Sequence, residues 1–359
     1  MFTYRYRNIT IAIVILCFLI ASYFVVSFGL FLYSPASISN EEIIVDIPSG
    51  TTFRSVTHSL YNAKLLKDEK KFLILARLRH AGSKIKSGEL RFYKSMTPLE
   101  VLDNLLNGVP VTYSFTVPEG FNLYQIGQML EEKGIIKHAA DFVAECKNKK
   151  TVKELGINGE SVEGYLFPDT YIVEKVRDVK TLVRVMNKKY KEVFTQQFLD
   201  RAHEIGLTEH DVVTLASIVE KETGAVDERK KVASVFFNRL KKGMRLQSDP
   251  TTIYGIWESY RGNLNKNDLQ SFTPYNTYKI FGLPVGPIAS PGKDSIIAVL
   301  YPERTDYLFF VSKNDGTHTF TVDYIDHKKA VNKFQKDHTA REGKSWRDLS
   351  KKNQHAQKN

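Results

Sequence analysis

The stretch that decides the fold covers residues 208–224 and reads TEHDVVTLASIVEKETG. Thr208 can cap a helix, and Asp211 three positions later can reach back to its backbone N–H, which makes a capping box. Leu207 and Val212 lie at the positions of a hydrophobic staple on either side of this cap. The stretch therefore predicts a helix that begins after Thr208 and ends at the glycine.

A second helix is predicted directly downstream, beginning at about Asp227. Its apolar residues recur at helical spacing, and we expect four of them to face the core: Val232, Val235, Phe236 and Leu240. The run Lys241-Lys242-Gly243 marks its end, because basic residues and a following glycine are typical of a helix C-terminus.

Two carboxylates, Glu220 and Glu222, lie in the last turn of the first helix. At about 100° per residue, both fall at the edges of the apolar face rather than on the solvent side. Glu220 has small neighbours one turn back, Ala216 and Ser217, which leave room for a ligand. A carboxylate in such a place can act as a general acid or base. Alternatively, the two are structural ion pairs with a nearby base: Lys221, Arg229 or Arg239.

Two stretches upstream repeat with a constant offset of 70 positions and no gap. The first begins with Ile47-Pro48-Ser49-Gly50 and the second with Val117-Pro118-Glu119-Gly120. Each pattern predicts a strand end, a Pro-x-Gly turn and a helix. A shared pattern of this length indicates duplicated supersecondary units, although two unrelated strand–turn–helix pieces remain the alternative.

Between the two copies, residues 88–93 predict a strand, and Thr97-Pro98-Leu99-Glu100 predicts the start of a helix through a capping box with proline at the first helical position. Gly108 stands where a C-terminal glycine is expected. The first copy resembles a LysM module, a βααβ domain that binds N-acetylglucosamine polymers. The resemblance rests on residues 48–53 with Val56 and Leu60, and Thr51-Thr52-Phe53 departs from the usual Gly-Asp-Thr-Leu pattern.

Residues 9–33 form an apolar run, and no charged residue occurs between Arg7 and Glu41. About 20 apolar residues span a bilayer as a helix. Arg5 and Arg7 precede the run and no basic residue follows closely, which predicts an N-terminus in the cytoplasm and an exported body. The alternative is a cleaved signal peptide, but its apolar region is normally only about 7–15 residues, so the length favours a retained anchor.

The net charge of +11 favours an anionic partner. No zinc-finger spacing or aromatic RNA-binding signature accompanies the basic residues, so we do not predict nucleic-acid binding. The sequence also lacks a nucleophile elbow, a His-Glu-x-x-His motif and a dinucleotide fingerprint, and its histidines show no metal-ligand spacing. We therefore predict neither a metal nor a cofactor.

The segment 216–223, ASIVEKET, is similar to the signature of the endolytic murein lytic transglycosylases, the MltG or YceG-like family. Several further stretches resemble that family in the same order, from the anchor to about Phe334: 163–171 (EGYLFPDTY), 232–240 (VASVFFNRL), 244–251 (MRLQSDPT), 271–278, 282–288 (GLPVGPI) and 318–320 (HTF).

The resemblance implies that Glu220 is catalytic and that no cofactor is used. The family cleaves the β-1,4 bond between N-acetylmuramic acid and N-acetylglucosamine within a strand and leaves a 1,6-anhydromuramic end. One carboxyl suffices, because the sugar's own 6-hydroxyl replaces water, whereas ordinary glycosidases need two carboxylates. To begin as an acid near neutral pH, Glu220 should have a raised pKa in a partly apolar setting, which Val213 and Ala216 are expected to supply.

Around Glu220 we expect aromatic faces to stack on sugar rings, and amides, hydroxyls and a carboxylate to bind polar groups. The candidates for substrate binding are Tyr165, Asn238, Gln247, Ser248, Asp249, Tyr254, Tyr275, Asn276 and Tyr278. Each of them alone is equally compatible with a structural role.

We therefore predict an α+β protein with an N-terminal transmembrane helix, a LysM-like βααβ region and a larger α+β catalytic domain. The predicted segments are a cytoplasmic N-terminus (1–8), an anchor (9–33), a linker (34–40), a LysM-like domain (41–110), a YceG-like catalytic domain (111–340, with the second LysM-like repeat at about 117–142) and a basic tail (341–359).

The predicted function is lytic transglycosylation of nascent peptidoglycan strands at the inner (cytoplasmic) membrane, with the catalytic domain outside the cytoplasm. Peptidoglycan synthases (penicillin-binding proteins) are partners that the family alone suggests. Two alternatives stay open: a muramidase that hydrolyses the same bond, and a non-catalytic glycan-binding scaffold in the envelope. Anhydro product ends distinguish the first, and the effect of changing Glu220 distinguishes the second.

Overall fold

The computed structural model describes residues 2–82 and 84–337. These residues form a mixed α and β protein that is rich in helices and contains three two-stranded sheets. The predicted basic tail at 341–359, and residues 338–340 of the predicted catalytic domain, lie outside the described residues. The chain divides into two compact units: unit 1 (Met1–Tyr113 with Ile172–Lys175) and unit 2 (Ser114–Tyr171 with Val176–Asn359).

The N-terminal helix α1 spans Phe2–Tyr33. Over Ile9–Tyr33 it is long and apolar enough to cross a membrane, and no other helix among the described residues meets that condition. The predicted apolar helix is therefore confirmed. Its C-terminal end packs within unit 1, where Phe31 is buried and the Lys71 amine lies 2.8 Å from the hydroxyl of Ser27.

Unit 1 continues with five further elements: β1 (Glu42–Ile47), α2 (Phe53–Asn62), α3 (Glu69–Leu78), β2 (Gly88–Tyr93) and α4 (Pro98–Asn107). β1 and β2 pair antiparallel, from Glu42 opposite Tyr93 to Ile47 opposite Gly88. Because side chains alternate across a strand, one face of this ribbon buries Leu90 and Phe92 against the helices of the unit.

The predicted capping box at Thr97 and Glu100 is confirmed, and Pro98 opens α4. Gly108 ends this helix with a φ of −55°, so it does not adopt the left-handed conformation that usually favours glycine at this position. It is required for space instead, because a Cβ there would lie 2.3 Å from the carbonyl oxygen of Asn104.

The second stretch contains the same elements at the same offset: β3 (Thr112–Thr116), α5 (Leu123–Glu132) and α6 (Ala139–Cys146). β3 begins 70 positions after β1, α5 begins 70 positions after α2, and α6 begins 70 positions after α3. The N-caps also correspond, since Thr52 accepts a hydrogen bond from a backbone N–H of α2 and Asn122 does so for α5.

The other elements of the chain complete unit 2, apart from part of β4. They are α7 (Lys149–Glu154), β4 (Thr170–Glu174), α8 (Val179–Val193), α9 (Gln196–Glu204), α10 (Glu209–Glu222), α11 (Arg229–Lys241), α12 (Asp249–Gly255), α13 (Lys266–Gln270), α14 (Lys293–Leu300), β5 (Phe309–Ser312), β6 (His318–Thr321), α15 (Tyr324–Val331) and a π-helical turn (Asn332–Lys336). β4 pairs with β3, and β6 pairs antiparallel with β5.

Helix α10 forms the centre of unit 2. The capping box predicted at Thr208 and Asp211 is confirmed, and every residue from Val212 to Val219 is buried. A helix that is enclosed on all sides belongs to the core of its domain. The second predicted helix begins slightly later than expected, because Val226–Glu228 form a 3₁₀ turn and α11 begins at Arg229.

Candidate active site

Glu220 lies in the last turn of α10, where the helix leaves the core, and only 5% of its side-chain surface is exposed. Both carboxylate oxygens accept hydrogen bonds. Arg229 Nη2 donates to Oε1 at 2.9 Å, while the Gly292 amide and the Ser295 hydroxyl donate to Oε2 at 3.0 and 2.8 Å. Three donors therefore surround this one carboxyl group.

Two of the three donors belong to the N-terminus of α14. Gly292 is the N-cap residue of that helix and Ser295 lies in its first turn. The first backbone N–H groups of a helix have no partner within the helix, and the helix dipole adds positive potential there. An acidic side chain at this place satisfies the free N–H and is itself stabilised as a carboxylate.

The third donor, Arg229, is shared among three acidic side chains. Its Nη2 also lies 3.3 Å from a carboxylate oxygen of Glu119, and its Nη1 lies 3.8 Å from Asp294. Arg229 is 6% exposed, whereas Glu119 and Asp294 are about half exposed, at 49% and 56%. The Nε of Arg229 is buried and has no hydrogen-bond partner within the described residues.

The prediction that the carboxyl group of Glu220 has a partly apolar setting was therefore wrong. Val213 and Ala216 are fully buried as part of the core, but the carboxyl group itself contacts a guanidinium, an amide and a hydroxyl. The structural ion pair, which was the alternative interpretation, is present between Glu220 and Arg229. This carboxylate is buried, ionic and hydrogen-bonded.

The Pro-x-Gly turn of the second repeat closes over Glu220. Gly120 has a φ of +74°, and a Cβ built there would lie 3.5 Å from Cγ of Glu220. The backbone of this turn is fixed on both sides, since the Gly120 N–H donates to the Ser290 carbonyl and the Lys221 amine donates to the Gly120 carbonyl. Glycine is required here because other residues rarely adopt such a φ.

Glu222 has a different partner from Glu220. Its Oε1 accepts a hydrogen bond of 2.5 Å from the hydroxyl of Ser248, and the backbone N–H of Ser248 donates to Thr277. Removal of this carboxyl group from water raises the pKa of Glu222 to about 7. Glu222 thus connects the end of α10 to the segment that precedes α12.

Several of the predicted sugar-binding residues make their hydrogen bonds inside the protein, among them the following three. Tyr165 is 2% exposed and its hydroxyl lies 3.0 Å from Nδ1 of His210. The Asn238 amide donates to the carbonyls of Thr305 and Tyr307. Asn276 is fully buried and its amide donates to the Ser271 carbonyl at 2.6 Å. These contacts give the three residues structural roles.

The other predicted residues lie on two segments. Gln247 is exposed, with a φ of +50°, and next to it Ser248 is buried against Glu222. Asp249 is exposed and accepts a hydrogen bond of 2.6 Å from Tyr278. The remaining two, Tyr254 and Tyr275, pack edge to face with their ring centroids 4.8 Å apart.

A further carboxyl group, which the sequence did not single out, lies beneath these tyrosines. Glu163 is 1% exposed, and its Oε2 accepts hydrogen bonds from the Leu123 N–H at 3.1 Å and the Tyr254 hydroxyl at 2.8 Å. Its Oε1 has no partner within the described residues. Burial raises the pKa of Glu163 to about 7. The signal was present, since Glu163 is the one charge in the apolar run from Val162 to Phe167.

Unit 2 is thus a mixed α and β body in which three donors position the buried carboxyl group of Glu220 at a helix N-terminus. A positioned carboxyl group is one of the side-chain groups that act as general acids and bases. The chain belongs to the YceG-like family, because the model of that family matches residues 45–333.

The relatives and a solved structure agree with this family. A Bacillus subtilis (strain 168) protein named endolytic murein transglycosylase is 31% identical over 327 residues, which cover 85% of this chain and 90% of that protein. A Streptococcus pneumoniae (serotype 2, strain D39) protein of the same name is 29% identical over 329 residues, covering 82% of this chain and 58% of the relative. The crystal structure of a YceG-like protein from Listeria monocytogenes aligns with a TM-score of 0.56 and 29% identity, covering 81% of this chain and all of that one.

Proposed function

We propose that this chain is an endolytic murein transglycosylase that cleaves peptidoglycan strands, with Glu220 as both the acid and the base. The family membership and the names of the relatives support the reaction. The observation that carries the assignment to Glu220 is the convergence of three donors from α11 and α14 on this one carboxylate.

The reaction needs the carboxyl group to donate one proton and later to accept another. The protonated carboxyl gives its proton to the glycosidic oxygen as the bond to C1 breaks. The 6-hydroxyl of the same N-acetylmuramic acid then attacks C1 and its proton returns to the carboxylate, so the 1,6-anhydro ring forms without water. One carboxyl group can perform both transfers in turn, unlike the pair that hydrolysing glycosidases use.

The contacts in the structure are those of the carboxylate form of Glu220. Each oxygen accepts from at least one donor, and Arg229 carries a permanent positive charge. Protonation of Glu220 would weaken its contact with Arg229, because the contact then loses its ionic part. Glu119 and Asp294 lie close enough to retain the guanidinium when this happens.

The change Glu220→Gln tests the assignment. Loss of a general acid and base should lower the rate of strand cleavage by about 10²–10⁴-fold. Glu204→Gln is the matched control, because Glu204 is 64% exposed and pairs only at the surface with Arg201. Mass spectrometry of the released muropeptides should show anhydro ends. Unchanged cleavage by the glutamine variant would remove Glu220 from the mechanism, and reducing ends would identify a muramidase instead.

We also propose that α1 is a single-pass anchor in the cytoplasmic membrane, with its N-terminus in the cytoplasm and unit 2 outside. The apolar length of Ile9–Tyr33 supports a span, and Arg5 and Arg7 on its N-terminal side support this orientation. Reporter enzymes that are active on only one side of the membrane, fused after residue 337, test it. Activity of the cytoplasmic reporter would refute the orientation.

Unit 1 is proposed to be the LysM-like glycan-binding domain. Its element order β1–α2–α3–β2, with the two strands paired antiparallel, is that of a βααβ module. If deletion of residues 41–110 left binding to purified sacculi unchanged, unit 1 would not be the glycan-binding domain.

Association with peptidoglycan synthases follows from the family alone, and recovery of a synthase after cross-linking in cells tests it.

A further inference from the structure

Three aromatic side chains cluster beside a cavity of about 460 Å³ in unit 2. The cavity is lined by Tyr124 and by residues 254–259. The rings of Tyr124 and Trp257 stack with 5.8 Å between their centroids and 18° between their planes. The ring of Tyr254 packs against Tyr124 from the side, at 6.4 Å. Tyr124 and Trp257 were not among the residues predicted to bind sugar.

Tyr124 and Trp257 contribute little to the core of the unit. Both are half-buried, and neither belongs to the hydrophobic core of unit 2, whereas Tyr254 packs against that core. Trp257 follows the end of α12, and its backbone N–H donates to the Tyr254 carbonyl. Burying an aromatic ring is among the largest gains available to a folding chain. Two stacked rings that remain partly in water are therefore accessible to a ligand.

The rim of this cluster is polar and carries both signs of charge. The amine of Lys147 donates to the Tyr124 hydroxyl at 2.8 Å and lies 4.9 Å from the centroid of that ring. Glu258 and Ser259 also line the cavity and are exposed. Flat aromatic faces with hydroxyl, amine and carboxylate groups at their edges suit a sugar ring, which has apolar faces and a polar periphery. A protein or lipid partner would instead require a continuous apolar patch.

The cluster is close to the candidate catalytic carboxylate along the chain. Gly120 packs against Glu220, and Tyr124 is only four residues further on. Four residues span at most about 14 Å even when fully extended. An enzyme that cleaves within a strand has to bind sugars on both sides of the bond. Tyr124 and Trp257 therefore lie within reach of a sugar that is bound a short distance from the reacting bond.

We propose that Tyr124 and Trp257 form a stacking subsite for an N-acetylhexosamine ring of the glycan strand, with Lys147 at its polar edge. This subsite rests on the proposed function for its natural ligand. It binds sugar by stacking and takes no part in the transfer of protons. Its loss should weaken the binding of the strand more than the chemical step, because the interaction is the same in the ground state and the transition state.

Fluorescence tests the subsite without any cleavage. The chain contains two tryptophans, and the change Trp346→Phe leaves Trp257 as the reporter. Titration of this full-length variant in detergent with a tetramer of N-acetylglucosamine should change the emission in a saturable way. Adding Tyr124→Ala should raise the Kd about tenfold or more, as expected for a contact in the centre of a binding site. Emission that does not respond to the tetramer would overturn the proposal.

Kinetics supply the second readout, and Tyr301→Ala is the matched control. Tyr301 is 39% exposed and also lies under a basic side chain, with Arg201 at 5.0 Å from its ring. We expect Trp257→Ala and Tyr124→Ala to raise the KM for glycan strands at nearly constant kcat, and Tyr301→Ala to change neither. Wild-type KM in both cluster variants would refute the subsite alone. If Glu220→Gln still cleaved strands while Trp257 responded to the tetramer, the assignment of Glu220 would fail and the subsite would stand.

Discussion

Arg229 places Nη2 at 2.9 Å from Oε1 of Glu220, and the two side chains are only 6% and 5% exposed. The pair joins the start of α11 to the end of α10, so the same contact that defines the candidate site also fastens two core helices. A buried charge is tolerated only with a partner, and each of these residues supplies the partner of the other. Activity and stability are therefore coupled at this contact.

The change Arg229→Gln should lower the free energy of unfolding by roughly 3–5 kcal/mol, because it leaves the Glu220 carboxylate buried without its counter-charge. Denaturant unfolding followed by circular dichroism measures it. Arg184→Gln is the control, since Arg184 is 53% exposed where it pairs with Glu154, and an exposed pair is worth about 1 kcal/mol or less. Equal effects of the two changes would show that the Arg229 pair is not a buried interaction in solution.

Two buried serines of the same segment differ in whether they contact Glu220, so their substitution tests that contact. The Ser295 hydroxyl donates to Glu220, whereas the Ser290 hydroxyl has no partner within the described residues. Ser295→Ala removes a hydrogen bond to a charged group, worth about 1.5–3 kcal/mol, so cleavage should fall roughly tenfold or more. Ser290→Ala removes an unpaired polar group and should leave the rate unchanged. Comparable losses of rate in both variants would argue against a role for the Ser295 contact.

The sequence predicted those parts of this site that depend on local pattern. The capping box at Thr208, the helix after it and the position of Glu220 in its last turn all follow from neighbouring residues. Arg229 was among the ion-pair partners that the sequence offered, since it is only nine positions away. The other two donors do not follow from local pattern, because Gly292 and Ser295 lie more than seventy positions away and meet Glu220 only through the packing of α14 on α10. The apolar setting was expected because Val213 and Ala216 precede Glu220 on the same helix.

The burial of Glu163 illustrates the same limit. Its partners, Leu123 and Tyr254, come from α5 and α12, which lie on opposite sides of it in the sequence. Periodicity identifies which face of an element is apolar, but it does not show which element covers that face. The stacked pair of Tyr124 and Trp257 was missed for this reason, since its two rings are 133 positions apart.

Gly120 offers a test of the turn that covers Glu220. In Gly120→Ala the alanine would have to adopt a φ of +74°. Its Cβ would lie 3.5 Å from Glu220 Cγ and 3.4 Å from Lys221 Cδ. Gly134→Ala is matched, because Gly134 has a φ of +68° but no atom within 4 Å of the added Cβ. Both should lose about 1–2 kcal/mol of stability from backbone strain. Only Gly120→Ala should also lower kcat. Assays at a temperature well below both unfolding midpoints measure this effect separately from stability. An equal kcat in the two variants would contradict the prediction.

The raised pKa of Glu163 makes a prediction about stability and pH. Its pKa is about 7 in the folded chain against a usual value of 4.5, so the folded state binds more protons than the unfolded state between these values. Stability should therefore fall as the pH rises through this range, by up to about 3 kcal/mol for this one group. Glu222 is raised to about 7 as well and adds a second contribution of the same sign.

Glu163→Gln should consequently lie within about 1 kcal/mol of the wild type near pH 5 and be the more stable protein near pH 8, with part of the original pH dependence left because Glu222 still titrates. Unfolding free energies at the two pH values measure this. Glu154→Gln is the control, because the pKa of Glu154 is shifted in the opposite direction: hydrogen bonds from Lys180 and Arg184 lower it. That group is ionised in both states above pH 5, so its removal should leave the slope unchanged. An undiminished slope in Glu163→Gln would mean that Glu163 is ionised in the folded chain, with a proton-free carboxylate stabilised by Leu123 and Tyr254.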